Sequence, residues 1–216
     1  MPPLLAFHVA AGTVAVLAGA AVLAVRKGTR LHRRIGLVFA VSMLAMAASG
    51  AIVATFVRPS RLNAVAGLLT SYLVATGWSA GRRSPGTPGP FDLAATAFAL
   101  ADGVTGLALA GSGGGPGCAV FGLVALVFAA FDVRMLLGSG PAAPRRLARH
   151  LWRMGLAFWI AVASLFLGQA KAFPAAVRET RLLPVPVLLV AGVMVFWLIR
   201  IRFTRAHVAL AGRDLA

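Results

Sequence analysis

The sequence predicts an all-α, polytopic transmembrane helix bundle of about seven spans, and three observations carry that prediction. The 216 residues are 60% hydrophobic and 12% charged, against roughly 45–50% and about 25% in a soluble domain. The apolar residues fall into continuous runs near the roughly 20 residues that a helix needs to cross about 30 Å of hydrocarbon. Basic residues and Pro/Gly clusters occupy the breaks, where chain reversal calls for them. Lipid cannot satisfy backbone donors and acceptors, which leaves helices or a closed barrel. The runs are Ala/Leu-rich without the period-two alternation of a barrel strand.

In order, the expected spans are 4–25, 35–57, 62–80, 91–110, 118–137, 151–170 and 183–199. The first has no Lys or Arg before its apolar run, so it reads as a retained helix and not as a cleaved signal. RKGTRLHRR joins spans one and two, and RPSR joins two and three. GRRSPGTPGP follows span three, and the Gly-rich GSGGGPG separates four from five. SGPAAPRRLARHLWR leads into span six, KAFPAAVRETR leaves it, and a basic tail follows span seven. No loop is long enough for a second domain, so 1–216 reads as a single integral membrane domain.

Charge orients the bundle. The formal net charge is +16. With the N-terminus outside, 16 Lys and Arg fall on the inner side and five on the outer side. That asymmetry follows the positive-inside rule and alternates correctly with seven spans. The expected location is the bacterial cytoplasmic (inner) membrane, N-outside and C-inside. Basic residues between apolar runs do not form the single basic face of a nucleic-acid binder. They suit anionic lipid headgroups, at about 1 kcal/mol per residue near the surface. One cysteine, Cys118, excludes an internal disulfide and any Cys-based metal motif; a small buried hydrophobe is the expected role.

Three spans carry small residues at helical spacing: His8, Gly12, Ala15 and Gly19 on span one; His32, Gly36, Ala40, Met43, Ala47, Gly50 and Ala54 on span two; His150, Arg153, Ala157, Ala161, Ser164 and Gly168 on span six. Small residues let membrane helices approach closely. These histidines are therefore expected on helix–helix faces, and the bulky face of span six (Phe158, Trp159, Val162, Leu165, Phe166) is expected toward lipid.

Ionisable groups inside spans are costly and mark candidate sites. His32, His150, Arg153, Asp132 and Arg134 fall near the inner side. His8, Gln169 and Lys171 fall near the outer side, with Asp102 between; Asp92 lies near the inner end of span four. His207, in the tail, reads as solvated. Three readings compete. One is structural: Asp132 pairs with an arginine such as Arg153 or Arg146, and the histidines bond helix interfaces. The second is a haem b or metal site with His32 and His150 as ligands from facing helices, and Arg33, Arg34 and Arg153 holding propionates or an anionic substrate. The third is a small transporter or channel with Asp102 as proton or cation site. Sequence signals for hydrolytic or zinc chemistry are missing: there is no HExxH, no GxSxG and no Ser-His-Asp set. GSGGGPG lacks the Lys-Ser/Thr ending of a phosphate loop and reads as a plain turn.

His8 with Gly12, LHRRIG (31–36) and RHLWRMGLAFWIAVASLFLGQ (149–169) together resemble a family of uncharacterised bacterial multi-span membrane proteins. That family has a His-Arg-x-x-Gly segment entering span two, and a His-x-Trp-Arg-Met segment entering a later span that ends in Gly-Gln. The resemblance covers about a third of the chain. It implies a membrane location, no established activity, and weight on His8, His32, His150, Trp152, Arg153 and Gln169. A looser similarity is to the cytochrome b561-like di-haem proteins, whose two histidine pairs on four core helices this chain lacks. The leading expectation is a redox-accessory membrane protein with a haem or metal site between spans two and six. The alternatives are the Asp102-centred transporter and a structural or assembly partner within a membrane complex.

Overall fold

Local chemistry sets where each helix begins and ends. In the computed structural model, residues 2–82, 88–138 and 143–203 are described; Arg83, Arg205, His207 and Arg213 lie outside them. Helix α1 (Pro3–Ala24) opens with a proline in its first turn, where a missing N–H costs nothing. At its other end Lys27 Nζ donates to the carbonyls of Val22, Leu23 and Val25 at 2.8, 2.8 and 3.2 Å, satisfying acceptors that a helix terminus leaves open. Gly28 turns the chain with φ +78°, and the Thr29 hydroxyl accepts from the His32 N–H at 3.2 Å, an N-cap.

Helix α2 (Arg30–Ile52) therefore starts five residues before the expected span, with LHRR helical, and closes in a wider π turn, Val53–Val57. Helix α6 (Ala143–Ala163, then a π turn Ser164–Gly168) starts eight residues early for the same reason: arginine is a good helix former, and hydropathy registers only the lipid-facing length. Helices α3 (Arg61–Arg82), α4 (Pro90–Leu109), α5 (Pro116–Leu136) and α8 (Pro184–Phe203) match their expected spans within a few residues. A short α7 (Ala175–Glu179) lies in the α6–α8 connection. Between α4 and α5, Gly113 and Gly115 take φ +90° and +79°, a left-handed geometry that glycine adopts without strain. The Arg61 guanidinium donates to the Ser112 carbonyl there, so GSGGGPG is an anchored turn.

The described residues contain no strand. Six of the helices are long and apolar enough to cross a membrane: α1, α2, α4, α5, α6 and α8, counted with their π turns. The third expected span, α3, is as long but carries more polar residues. Its position accounts for this. α3 packs against α2, α4, α5 and α6, and Leu69, Leu73, Val74, Thr70 and Thr76 are all buried. A helix enclosed by protein needs no lipid-compatible surface, and the Thr70 and Thr76 hydroxyls donate back to Ala66 and Tyr72 carbonyls at 2.7 and 2.6 Å.

Lipid tails are as apolar as leucine, so helix association in a bilayer rests on close packing and interhelical bonds. α4 and α5 meet backbone to backbone: a Cβ on Gly106 would lie 2.8 Å from the Gly122 Cα, and one on Gly122 2.8 Å from the Gly103 carbonyl oxygen. Ala15, Ala40, Ala47, Ala157 and Ala161 of the small-residue stripes are buried. Gly36 departs from its stripe, because a Cβ there would meet nothing within 4 Å. Ser164 and Gly168 also depart, being exposed. The bulky face of α6 is not a lipid face: Phe158 and Val162 are buried in the core. α6 packs on α1, α3 and α8, which leaves it little free perimeter. The Phe158 ring fills the space beside Gly19 and meets Phe39 edge-on at 5.6 Å. Large side chains such as Phe7, Leu17, Phe56, Leu93, Val104 and Leu123 project outward, an apolar coat far larger than the patches of soluble monomers.

Candidate functional site

Polar side chains gather at one end of the bundle, where α1, α3, α5 and α8 finish and α2, α4 and α6 begin. Two centres form there, on opposite sides of the α3–α6 pair.

The first is a buried ion network. Asp132 on α5 and Arg153 on α6 are each 1% exposed. Arg153 Nη2 donates to Asp132 Oδ1 at 2.5 Å, and Arg149 Nη2 donates to the same oxygen at 3.1 Å. The Tyr72 hydroxyl of α3 donates to Oδ2 at 2.6 Å. Arg149 also lies 3.7 Å from Asp92, whose carboxylate accepts the Gly89 N–H at 3.0 Å in the first turn of α4. The Arg153 guanidinium rests over the Tyr72 and Phe128 rings at 5.0 and 5.5 Å, a cation–π arrangement. Among the described contacts two arginines face two aspartates. Buried ions persist when they are paired, and here Arg149 Nε and Arg153 Nη1 are the two buried guanidinium nitrogens left without a hydrogen-bond partner among the described residues.

The expectation that Asp132 pairs with Arg153 holds. Arg153, expected at the cofactor site, donates to Asp132 and is not among the residues that line the cavity described next. Arg146 lines that cavity instead.

The second centre is a cavity of about 700 Å³ among α1, α2, α3, α6 and α8. His32 and His150 both line it. His150 Nδ1 bonds the Gly77 carbonyl at 2.9 Å; with the proton on Nδ1, that nitrogen donates and Nε2 keeps its lone pair. Metal-ligating histidines are oriented in this way. Gly81 makes the approach possible, since a Cβ there would lie 2.7 Å from His150 Nδ1. His32 Nδ1 is buried and bonds no protein group. Phe39, Phe158, Trp78 and Trp197 supply aromatic wall. Lys27 stands over the Trp197 ring at 5.4 Å and Arg82 over Trp78 at 5.1 Å. Burial holds the Lys27 ammonium below the usual lysine range.

Among the described residues no group of three or more His, Cys, Asp and Glu is placed to hold a metal ion. A lone ion bound by protein alone therefore lacks a donor set here. A haem iron asks less, because the macrocycle supplies the equatorial nitrogens and the protein one or two axial ligands. The two imidazoles open onto this cavity beside its aromatic walls and basic residues.

The remaining candidates stand apart. Asp102 on α4 is 4% exposed, and neither carboxylate oxygen has a hydrogen-bond partner; the cavity does not include it. His8 is at the opposite end, its Nδ1 bonding the Met46 carbonyl at 2.8 Å between α1 and α2. Gln169 is exposed beyond the π turn of α6. Trp152 is 42% exposed, its ring edge-on to Phe128 at 6.2 Å. Cys118 is fully buried, its thiol donating to the Gly114 carbonyl at 3.3 Å.

Sequence reasoning missed Tyr72 and Arg149. Both had signals: Tyr72 is the only tyrosine and lies mid-span, and Arg149 precedes Arg153 by one helical repeat.

Comparison of the chain with protein-family models, with curated proteins and with solved structures finds no match.

Proposed function

We propose that this chain is a seven-helix integral protein of a bacterial cytoplasmic membrane, N-terminus outside, that holds a haem b between the inner ends of α2 and α6 and serves as a redox-accessory protein. One observation carries the reading: His32 and His150, 118 residues apart in sequence, line the same cavity. α3 counts as the seventh span because, in an antiparallel run of helices, only seven spans keep the basic residues on one side. The basic inner face would attract anionic headgroups. The segments around His32 and His150 place the chain, on this reading, with the uncharacterised multi-span family that they resemble.

In this account His150 is set by its bond to the Gly77 carbonyl, and its Nε2 would be the nitrogen that holds the haem. His32 would supply the second imidazole from α2. Phe39 and Phe158 keep water from the apolar part of the cavity. A haem bound there would supply one-electron chemistry. The test is the visible absorption spectrum of the protein purified in mild detergent. A Soret band lost in both His32→Ala and His150→Ala supports the assignment; a colourless protein at normal yield removes it.

A second reading rests on Asp102, an unpaired buried carboxyl within an apolar helix, which is the usual mark of a proton or ion path. It predicts proton flux in reconstituted vesicles that Asp102→Asn abolishes while leaving any Soret band unchanged. Flux equal in both proteins would discard it.

A further inference from the structure

Near its end, α3 carries the segment Gly77-Trp78-Ser79-Ala80-Gly81, with two glycines one helical turn apart. α6 packs on α3, and His150, Arg153 and Met154 meet these glycines from one face of α6, at i, i+3 and i+4. A Cβ on Gly77 would lie 2.9 Å from the Arg153 Cβ and 3.1 Å from the Met154 Sδ. A Cβ on Gly81 would lie 2.7, 3.1 and 3.4 Å from the Nδ1, Cε1 and Cγ atoms of His150. Gly77 therefore makes room for the α6 backbone, and Gly81 makes room for the imidazole ring. Small residues at a helix crossing serve close packing. Here the second glycine also leaves a hydrogen-bond acceptor uncovered.

Within a helix the side chain at position i lies beside the carbonyl at i−4. α3 shows the relation at Thr70, Ser71 and Thr76, whose hydroxyls donate to the Ala66, Gly67 and Tyr72 carbonyls at 2.7, 2.9 and 2.6 Å. The side chain that would cover the Gly77 carbonyl belongs to position 81, and glycine has none. A carbonyl oxygen keeps a second lone pair after its own helical bond, and His150 Nδ1 lies 2.9 Å from this one. A carbonyl only accepts, so the proton of that bond is on Nδ1. In the neutral ring Nε2 then carries no proton.

We infer that Gly81 is a positioning residue for His150: by baring the Gly77 carbonyl it fixes the Nδ1–H tautomer and leaves Nε2 as an electron-pair donor in the cavity wall. The wall is thereby suited to a ligand that accepts an electron pair. What Nε2 holds rests on the haem reading. The seat itself does not, because it belongs to the protein without a ligand.

The test is nitrogen-15 NMR of the full chain in mild detergent, free of haem and labelled at histidine. The His150 signals are identified by their loss in His150→Gln. The wild type should show His150 with a protonated Nδ1 and an unprotonated Nε2. Gly81→Ala should lose that pattern, because the methyl forces the ring off the carbonyl. Gly81→Ser should lose it as well, because its hydroxyl takes the carbonyl for itself. Gly36→Ala is the control: it adds the same methyl to the same cavity wall with nothing within 4 Å to strike, and should keep the pattern. Thermal melting decides the matter if Gly81→Ala folds poorly. Overpacking is relieved when the atoms it strikes are removed, so Gly81→Ala combined with His150→Ala should melt close to His150→Ala alone. A wild-type His150 protonated at Nε2, a folded Gly81→Ala protein that keeps the wild-type pattern, or a double variant that melts well below His150→Ala would each overturn the inference. The expected pattern in a protein that shows no Soret band would sustain the seat and refute the haem.

Discussion

Asp132 accepts hydrogen bonds from Tyr72, Arg149 and Arg153 in a place with almost no exposure. Removing that charge strands two buried cations. Asp132→Asn should therefore cost about 3–5 kcal/mol, seen as a large fall in melting temperature in detergent. Tyr72→Phe removes one bond to a charged acceptor and should cost about 1.5–3 kcal/mol. A melting temperature unchanged in Asp132→Asn would show that the network contributes nothing. The pairing of Asp132 with Arg153 was legible from depth along the spans. The true role of Arg153 was not, since His150 and Arg153 are three residues apart and share one stripe in any helical projection. Only the positions of neighbouring helices show that Arg149 and Arg153 reach toward α5 while Arg146 and His150 meet the cavity. Tyr72 escaped notice because a single tyrosine in an apolar run looks like packing.

Helix ends and helix contacts belong to the next scale. Thr29 and the Lys27 bonds to three carbonyls define the α1–α2 turn, and the expected start of α2 was late because hydropathy ignores helical arginines. Glycines give a graded test. Gly122→Ala pushes a methyl to within 2.8 Å of the Gly103 carbonyl oxygen, and overpacking of that kind costs about 1–3 kcal/mol. Gly36→Ala meets no atom within 4 Å and replaces a poor helix former by the best one, so it should stabilise by up to about 1 kcal/mol. Comparing the two melting temperatures checks the packing directly; a Gly36→Ala protein less stable than Gly122→Ala would contradict it. The sequence places Gly36 on a small-residue stripe and does not single out Gly122, since spacing records a face without recording what stands opposite.

At the scale of the molecule, the helical bundle and the apolar coat follow from composition and run length. What composition hides is enclosure. α3 can lack a span-length apolar window because it is surrounded, and α6 buries the bulky face that looked suited to lipid. Orientation follows from charge and has its own check. In a Cys118→Ser background, a cysteine placed at Ser60 should react with a membrane-impermeant thiol reagent in intact cells, and one placed at Arg26 only after lysis. The reverse pattern would invert the topology and turn the cavity outward.

The central claim is that His32 and His150 hold one group between α2 and α6, and low-temperature electron paramagnetic resonance of the oxidised, purified protein tests it most directly. The account predicts a low-spin ferric haem signal with two imidazole ligands, lost or converted to high spin in His32→Ala and again in His150→Ala. A protein with no ferric haem signal, or one whose signal survives both substitutions, would contradict it.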